Sequence, residues 1–99
     1  MASFDMQSND RAMLSGELRF DTVGSLLDVG NRVIGEGRIT VIDLASVSAG
    51  DSAGLALLIE WLSVARSVKR PLRYENIPLQ LQQLARLSEV EELLLGAQV

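Results

Sequence analysis

Ninety-nine residues, 47% of them hydrophobic and 22% charged, suffice for one compact domain and leave no room for a second, so residues 1–99 are read as a single domain. With no cysteine and no histidine, the chain excludes disulfides, thiolate or imidazole metal sites, cysteine nucleophiles and histidine-based triads. No cofactor, no metal and no enzymatic role is expected. A formal charge of −4, with the basic residues scattered, argues against nucleic acid as a partner, since that grip needs clustered Lys and Arg.

Met1 to Asp10 is polar and lacks the basic start and apolar core of a secretory signal. The longest uninterrupted apolar run, Leu55 to Ile59, is far below the ~20 residues that span a bilayer. A cytoplasmic chain with no direct membrane insertion is the expectation. Ser3 to Ser8 alternates with Phe4 and Met6 on one face, and Arg11 to Leu18 follows across Asn9-Asp10, a pair suited to a tight turn, so the chain opens on a β-hairpin. Asp21-Thr22 supplies cap chemistry for a first helix. Its apolar positions Val23, Leu26, Leu27, Gly30, Val33 and Ile34 recur at helical spacing until Gly35-Glu36-Gly37 ends it. Ile39 to Leu44 is short, β-branched and apolar at successive positions, as expected of a strand covered on both faces. Leu55 opens a second helix running to about Val68, Leu72 to Tyr74 forms a short strand after Pro71, and Asn76-Ile77-Pro78 opens a third helix. Leu81, Leu84, Ala85 and Leu87 are its packing positions. Ser88 to Leu94 adds a last turn or short helix whose apolar tail must dock.

The junction Ala49-Gly50-Asp51-Ser52-Ala53-Gly54 lies where the buried strand ends and the apolar helix begins. A helix start leaves unpaired backbone N–H groups and a positive dipole end. Asp51 or Ser52 can therefore cap the helix, or the junction can act as a switch. On the helical wheel Leu57, Leu58, Trp61, Leu62, Val64, Ala65 and Val68 cover one broad arc. Ser52, Ala56, Glu60, Ser63 and Ser67 occupy the opposite one, with Ile59 on its margin. A solvent-facing helix surface normally carries long charged side chains. The line Ser52, Ala56, Ile59, Ser63 carries none, which reads either as an ordinary surface with small residues or as a protein-binding seam.

The hairpin, helix, buried strand and Asp51-Ser52-Ala53-Gly54-Leu55 junction resemble a STAS domain, the fold of bacterial anti-sigma-factor antagonists and of sulfate-transporter tails. Together with Arg70-Pro71-Leu72 and Leu84-Ala85-Arg86-Leu87, the junction most resembles the small stand-alone STAS subunits of lipid-asymmetry ABC transporters. The resemblance implies an α/β fold with a mixed sheet of about four strands, opened by a β-hairpin, and three to four helices packed on it. It further implies a non-catalytic subunit that binds the cytoplasmic ATPase of a phospholipid-moving ABC transporter, and through it the permease, at the inner membrane. The expected contact surface comprises Ser46, Ser48 and Gly50 of the loop, then Asp51, Ser52, Ala53, Ala56, Ile59 and Ser63. The alternative is an anti-sigma-factor antagonist. There Ser52 matches the hydroxyl that a partner serine kinase phosphorylates, and Asp51 matches its acidic neighbour. Ala53 departs from the second serine such antagonists often carry, which favours the transporter subunit.

Two other constellations have simpler readings. Asp43 superficially resembles a receiver phosphoacceptor but lacks an accompanying acidic pair for magnesium, and is expected to hydrogen-bond loop amides between Ala45 and Gly50. Arg66, Lys69, Arg70 and Arg73 are read as helix C-terminal charge complementing the dipole, plus a solvated strand edge.

Overall fold

The computed structural model describes residues 2–96. In chain order its elements are β1 (Ser3–Met6), β2 (Arg11–Leu18), α1 (Val23–Gly35), β3 (Val41–Gly50), α2 (Ser52–Ser67), β4 (Arg73–Glu75), α3 (Leu79–Leu87) and α4 (Glu91–Gly96). The four strands lie in sequence order, β1 antiparallel to β2 and the other two pairs parallel. The expected mixed sheet with an opening hairpin and four helices is present.

One departure follows from topology. The strand order never reverses, so two right-handed crossovers, through α1 and through α2, must place both helices on the same face of the sheet. The register shows the result. Ala12, Ile42 and Tyr74 sit side by side and are fully buried. With Leu14, Leu44 and Val47 they share one core with Leu26, Val33, Ile34, Leu57, Leu58, Trp61, Leu81, Ala85 and Leu94 from the helices. The next row, Asp5, Met13, Asp43 and Glu75, lies on the opposite face. That face carries Arg11 bonded to Glu75 and 3.9 Å from Asp43. The β3 strand is thus covered by helices on one face and by polar side chains on the other, not by apolar layers on both.

A second departure is the length of β3, which runs to Gly50 rather than ending at Leu44. Its second half pairs only with β2, through two register shifts, because β4 stops at the pairing of Asp43 with Glu75. Ser46 to Gly50 is therefore strand, not loop. Leu44 and Val47 point into the core, and the intervening irregularity leaves Ala45 and Ser46 exposed.

The core is organised around Trp61 and Tyr74, both fully buried. Trp61 meets Phe4 edge-on, with ring centroids 5.6 Å apart, and lies against Gly30, where a Cβ would overlap its indole. The Tyr74 hydroxyl donates to the Leu58 carbonyl at 2.6 Å, fastening β4 to α2. Burial pushes the Tyr74 phenol well above its ordinary range. In α3, Leu81 and Ala85 are buried, but Leu87 is 81% exposed, because it falls on the far side of the helix from that pair. Val68, at the end of α2, is likewise exposed. The tail docks through Leu94, which is fully buried. Residues 97–99 lie outside the described residues.

Candidate partner-binding site

The junction between β3 and α2 is built by two residues that the local fold requires. Asp51 is extended, and its Oδ1 accepts from the backbone N–H of Ala53 at 2.9 Å and of Gly54 at 3.2 Å, which makes it the N-cap of α2. Its Oδ2 accepts from Phe20 N–H at 3.3 Å, and its own N–H donates to the Leu18 carbonyl at 3.1 Å. One aspartate thereby ties the start of α2 to the end of β2. Partial desolvation works to raise its pKa, but the N–H groups of Gly54, Phe20 and Ala53 and the charge of Arg19 outweigh it and hold the carboxyl below its usual range. Gly54 is the second requirement. A Cβ there would lie 2.5 Å from the Leu18 carbonyl oxygen and 2.8 Å from Leu18 Cβ, so only glycine lets the first turn of α2 approach β2 this closely.

Ser52 is left over. It is the first residue of α2, exposed, and its hydroxyl has no hydrogen-bond partner among the described residues. The cap role open to either Asp51 or Ser52 in the sequence thus belongs to Asp51. Along α2, Ser52, Ala56, Glu60, Ser63 and Ser67 are exposed, and Ile59 and Ala53 are half-buried. Ser52, Ala56 and Ser63 form an uncharged ridge over three turns.

The remaining sequence-selected positions divide. Ser48 is exposed near the end of β3. Ser46 pairs with Ser15, and its Oγ lies 3.6 Å from Met13 Sδ, which places it on the polar sheet face rather than beside α2. Gly50 is buried. A Cβ there would meet Leu81 Cδ2 at 2.7 Å, and its N–H donates to Gln80 Oε1 at 3.1 Å, so it positions α3 instead of offering a surface. Asp43 does accept from Ala45 N–H at 2.9 Å, and also from Asn76 Nδ2 at 2.9 Å. The Asn76 bond foremost, then the Ala45 amide and Arg11, hold it below the usual carboxylate range despite partial burial. Among the described residues no acidic cluster is arranged to hold a metal ion.

Sequence reasoning missed the other wall of the site. Between α1 and α2 runs an open groove of about 480 Å³, lined by Phe20, Val23, Gly24, Leu27 and Asn31 on one side and Ala53, Ala56, Leu57 and Glu60 on the other. Phe20 is 86% exposed at its rim. The available signal was composition: the chain has four aromatic residues, and this one stands between Arg19 and Asp21 in a turn, where no core can take it. The turn itself departs from expectation. Thr22 occupies the cap position of α1 without capping it. Its hydroxyl donates to the Glu17 carbonyl at 2.7 Å and accepts from Arg19 N–H at 2.8 Å, closing the loop that carries Phe20.

The family model described as "Mlab, STAS domain" matches residues 3–96. The intermembrane phospholipid transport system binding protein MlaB of Escherichia coli is 34% identical over 82 residues, 83% of this chain and 82% of that protein, and the Shigella flexneri protein of the same name matches equally. Among solved structures, a putative anti-sigma factor antagonist from Thermotoga maritima superposes with a TM-score of 0.73 at 15% identity, covering 95% of this chain and 83% of that one. The unphosphorylated anti-sigma factor antagonist SpoIIAA superposes with a TM-score of 0.68 at 18% identity, covering 88% and 83%. At those identities the two structures speak for the fold alone. The family match and the identity to MlaB carry the assignment: this chain belongs to the MlaB-type STAS domain family.

Proposed function

We propose that the protein is the non-catalytic STAS subunit of a phospholipid-transporting ABC transporter, binding its cytoplasmic ATPase and supporting assembly or activity of the complex. Kinship with MlaB supports the transport system. The observation that carries the contact is the ridge Ser52, Ala56, Ser63, three small uncharged residues in one line on the exposed face of α2, with Glu60 to one side, flanking a largely apolar groove. Small uncharged residues let a partner helix approach closely and add little desolvation cost. Asp51, Ala53 and Ile59 neighbour that ridge along α2 and its cap, Ser48 is an exposed residue of β3, and Ser46 and Gly50 are not part of it. The subunit works at the cytoplasmic face of the inner membrane through its partner. No described helix is long and apolar enough to cross a membrane. An Ala56→Arg variant keeps the fold, because Ala56 is exposed, and loses the ATPase in co-purification. Undiminished co-purification of a folded variant removes the ridge from the interface.

One observation favours the second reading, an anti-sigma-factor antagonist: the Ser52 hydroxyl is exposed and unpartnered at the positive end of α2. Phosphate there would add about 1.5 to 2 negative charges next to Asp51. Incubation with a cognate serine kinase and ATP tests it, and an unmodified Ser52 counts against it.

A further inference from the structure

Positive charge is not spread evenly over this acidic chain. Of its nine cationic side chains, Arg11, Arg19, Arg38, Arg73 and Arg86 each lie within ion-pair distance of a carboxylate. Arg32, Arg66, Lys69 and Arg70 form no ion pair among the described residues. Three of those four, Arg66, Lys69 and Arg70, line one open hollow of about 580 Å³ between the end of α2 and α4. A single cation at the end of α2 is ordinary, because it complements the helix dipole, and Arg66 in the last turn supplies it. Lys69 and Arg70 follow the helix. The Lys69 N–H donates to the Arg66 carbonyl and the Arg70 N–H to the Ala65 carbonyl, each at 3.0 Å, a closing turn in which glycine is usual at residue 69. Lys69 holds that place at a φ of 58°, which is costly for a residue with a Cβ. Glu89 ends α3 in the same conformation, so the strain alone marks no site; the gathering of unpaired charge does. Arg70 is placed by packing as well, since a Cβ at Gly37 would lie 3.4 Å from its Cγ and Nε, and its stem therefore runs across that glycine.

The hollow is two-sided. Its cations come from α2 and the turn after it, whereas α4 contributes Leu93, 48% exposed, and exposed Glu92. Leu62 and Leu72 complete its apolar lining. Unpaired positive charge beside apolar surface calls for an anion carried on an apolar body. A small inorganic anion would leave Leu93 in water. A flat anionic surface, such as a bilayer of acidic lipid, would bring like charge onto Glu92 and would not enter a concave site. A peptide segment with carboxylates at one end and leucine-like side chains at the other satisfies both sides. Its carboxylates accept from the guanidinium forks, and its apolar residues cover Leu62 and Leu93 away from the charge.

We propose that this hollow binds a short acidic segment of a partner protein in which carboxylates are followed by apolar side chains, the carboxylates taken by Arg66, Lys69 and Arg70 and the apolar residues by Leu62 and Leu93. Ser52 stands at the opposite end of α2, roughly 20 Å away by helix rise. The hollow is thus a second surface, and its chemistry does not rest on the ATPase contact proposed above.

The test is a titration of the full chain followed by backbone amide resonances, with acetyl-glutamyl-aspartyl-leucyl-leucinamide as the probe. The expected result is saturable shifts at Arg66, Lys69, Arg70 and Leu93, and binding at least about tenfold weaker for the glutaminyl-asparaginyl analogue, which is equal in size but uncharged. The response is lost in the double variant Arg66→Gln, Arg70→Gln and weakened in Leu93→Gln, all at exposed positions and each confirmed as folded by its urea midpoint. Lys69→Gly separates function from structure: glycine takes the left-handed turn without cost, so this variant is expected to raise the urea midpoint while weakening the probe. No shift up to about 20 mM peptide, weaker than any affinity of interest, an equal response to the uncharged analogue, or unchanged binding in the double variant overturns the proposal. Two controls name the other occupants. Inorganic phosphate that gives the same shifts at the same concentration makes this a general anion patch, and flotation with phosphatidylglycerol vesicles that is lost in the double variant makes it a membrane contact; either result overturns the peptide assignment.

Discussion

Replacing Gly54 by alanine puts the packing logic of the junction to a quantitative test. In an open helix position glycine to alanine is stabilising by about 1 kcal/mol, so propensity alone predicts a sturdier protein. At residue 54 the new Cβ would lie 2.5 Å from the Leu18 carbonyl oxygen and 2.8 Å from Leu18 Cβ. The first of these is backbone in a paired strand, and Leu18 is fully buried, so neither atom can swing away. Overpacking of this kind costs about 1–3 kcal/mol, and a rigid contact belongs near the upper end. The balance is a net loss of about 1–2 kcal/mol, or a fall in melting temperature of roughly 5–15 °C for a domain of this size. Gly24→Ala is the internal control, since it makes the same chemical change on α1 with nothing within 4 Å. It is expected to raise stability by up to about 1 kcal/mol. Urea unfolding with the m-value checked for two-state behaviour reads both. If Gly54→Ala matches or exceeds the wild type, the close approach of α2 to β2 is not what demands glycine there, and the reasoning is wrong.

Other consequences follow from single contacts. Tyr74→Phe removes the buried hydroxyl that bonds the Leu58 carbonyl, with an expected loss of about 1 kcal/mol. An unchanged urea midpoint would show that the bond adds nothing over its hydrated alternative. Asp51→Ala deprives Ala53 and Gly54 of their acceptor and is expected to lower the melting temperature, with Asp51→Asn retaining more of the cap. Because the folded pKa of Asp51 is depressed, its ionic contribution is present above the unfolded value, near pH 4, and is lost as pH falls through the folded value. The wild type should therefore lose more stability than Asp51→Asn between pH 5 and about pH 2; parallel pH profiles contradict this. On the polar sheet face, Asp43 and Glu75 are both depressed, Asp43 chiefly by the Asn76 bond and Glu75 chiefly by its bond to Arg11. Asp43→Asn should likewise flatten the acid side of the stability curve, and a curve as steep as the wild type's denies Asp43 that role.

Much of this architecture was legible because the relevant signals are local. The bounds of β2 and α1 followed from alternation, helical spacing and Gly35-Glu36-Gly37, and α2 ended within a residue of its expected limit. Failures came where the answer depends on distant parts of the chain. Whether β3 is covered once or twice is decided by strand order and crossover hand, which Ile39 to Leu44 does not encode. Its extension through Ser46 to Gly50 depends on β2 being longer than β4. Gly50 reads in the sequence as part of a loop, yet it is packed against Leu81, which lies 31 residues later. At the candidate site, the wheel of α2 identified the ridge. The groove required α1 to lie alongside, and the exposure of Phe20 required a turn closed by Thr22. Asp51 and Gly54 are explained by the fold. Ser52 is not, which is the physical reason to look for its function outside the chain.

The most direct test is the affinity of the purified chain for the transporter ATPase proposed as its partner, measured by calorimetry for wild type, Ala56→Arg and the surface control Arg38→Ala, each confirmed as folded by its urea midpoint. The account predicts tight binding for wild type and control and none for Ala56→Arg. A folded Ala56→Arg variant that binds as well as the wild type, or a wild type that does not bind the ATPase at all, would contradict it.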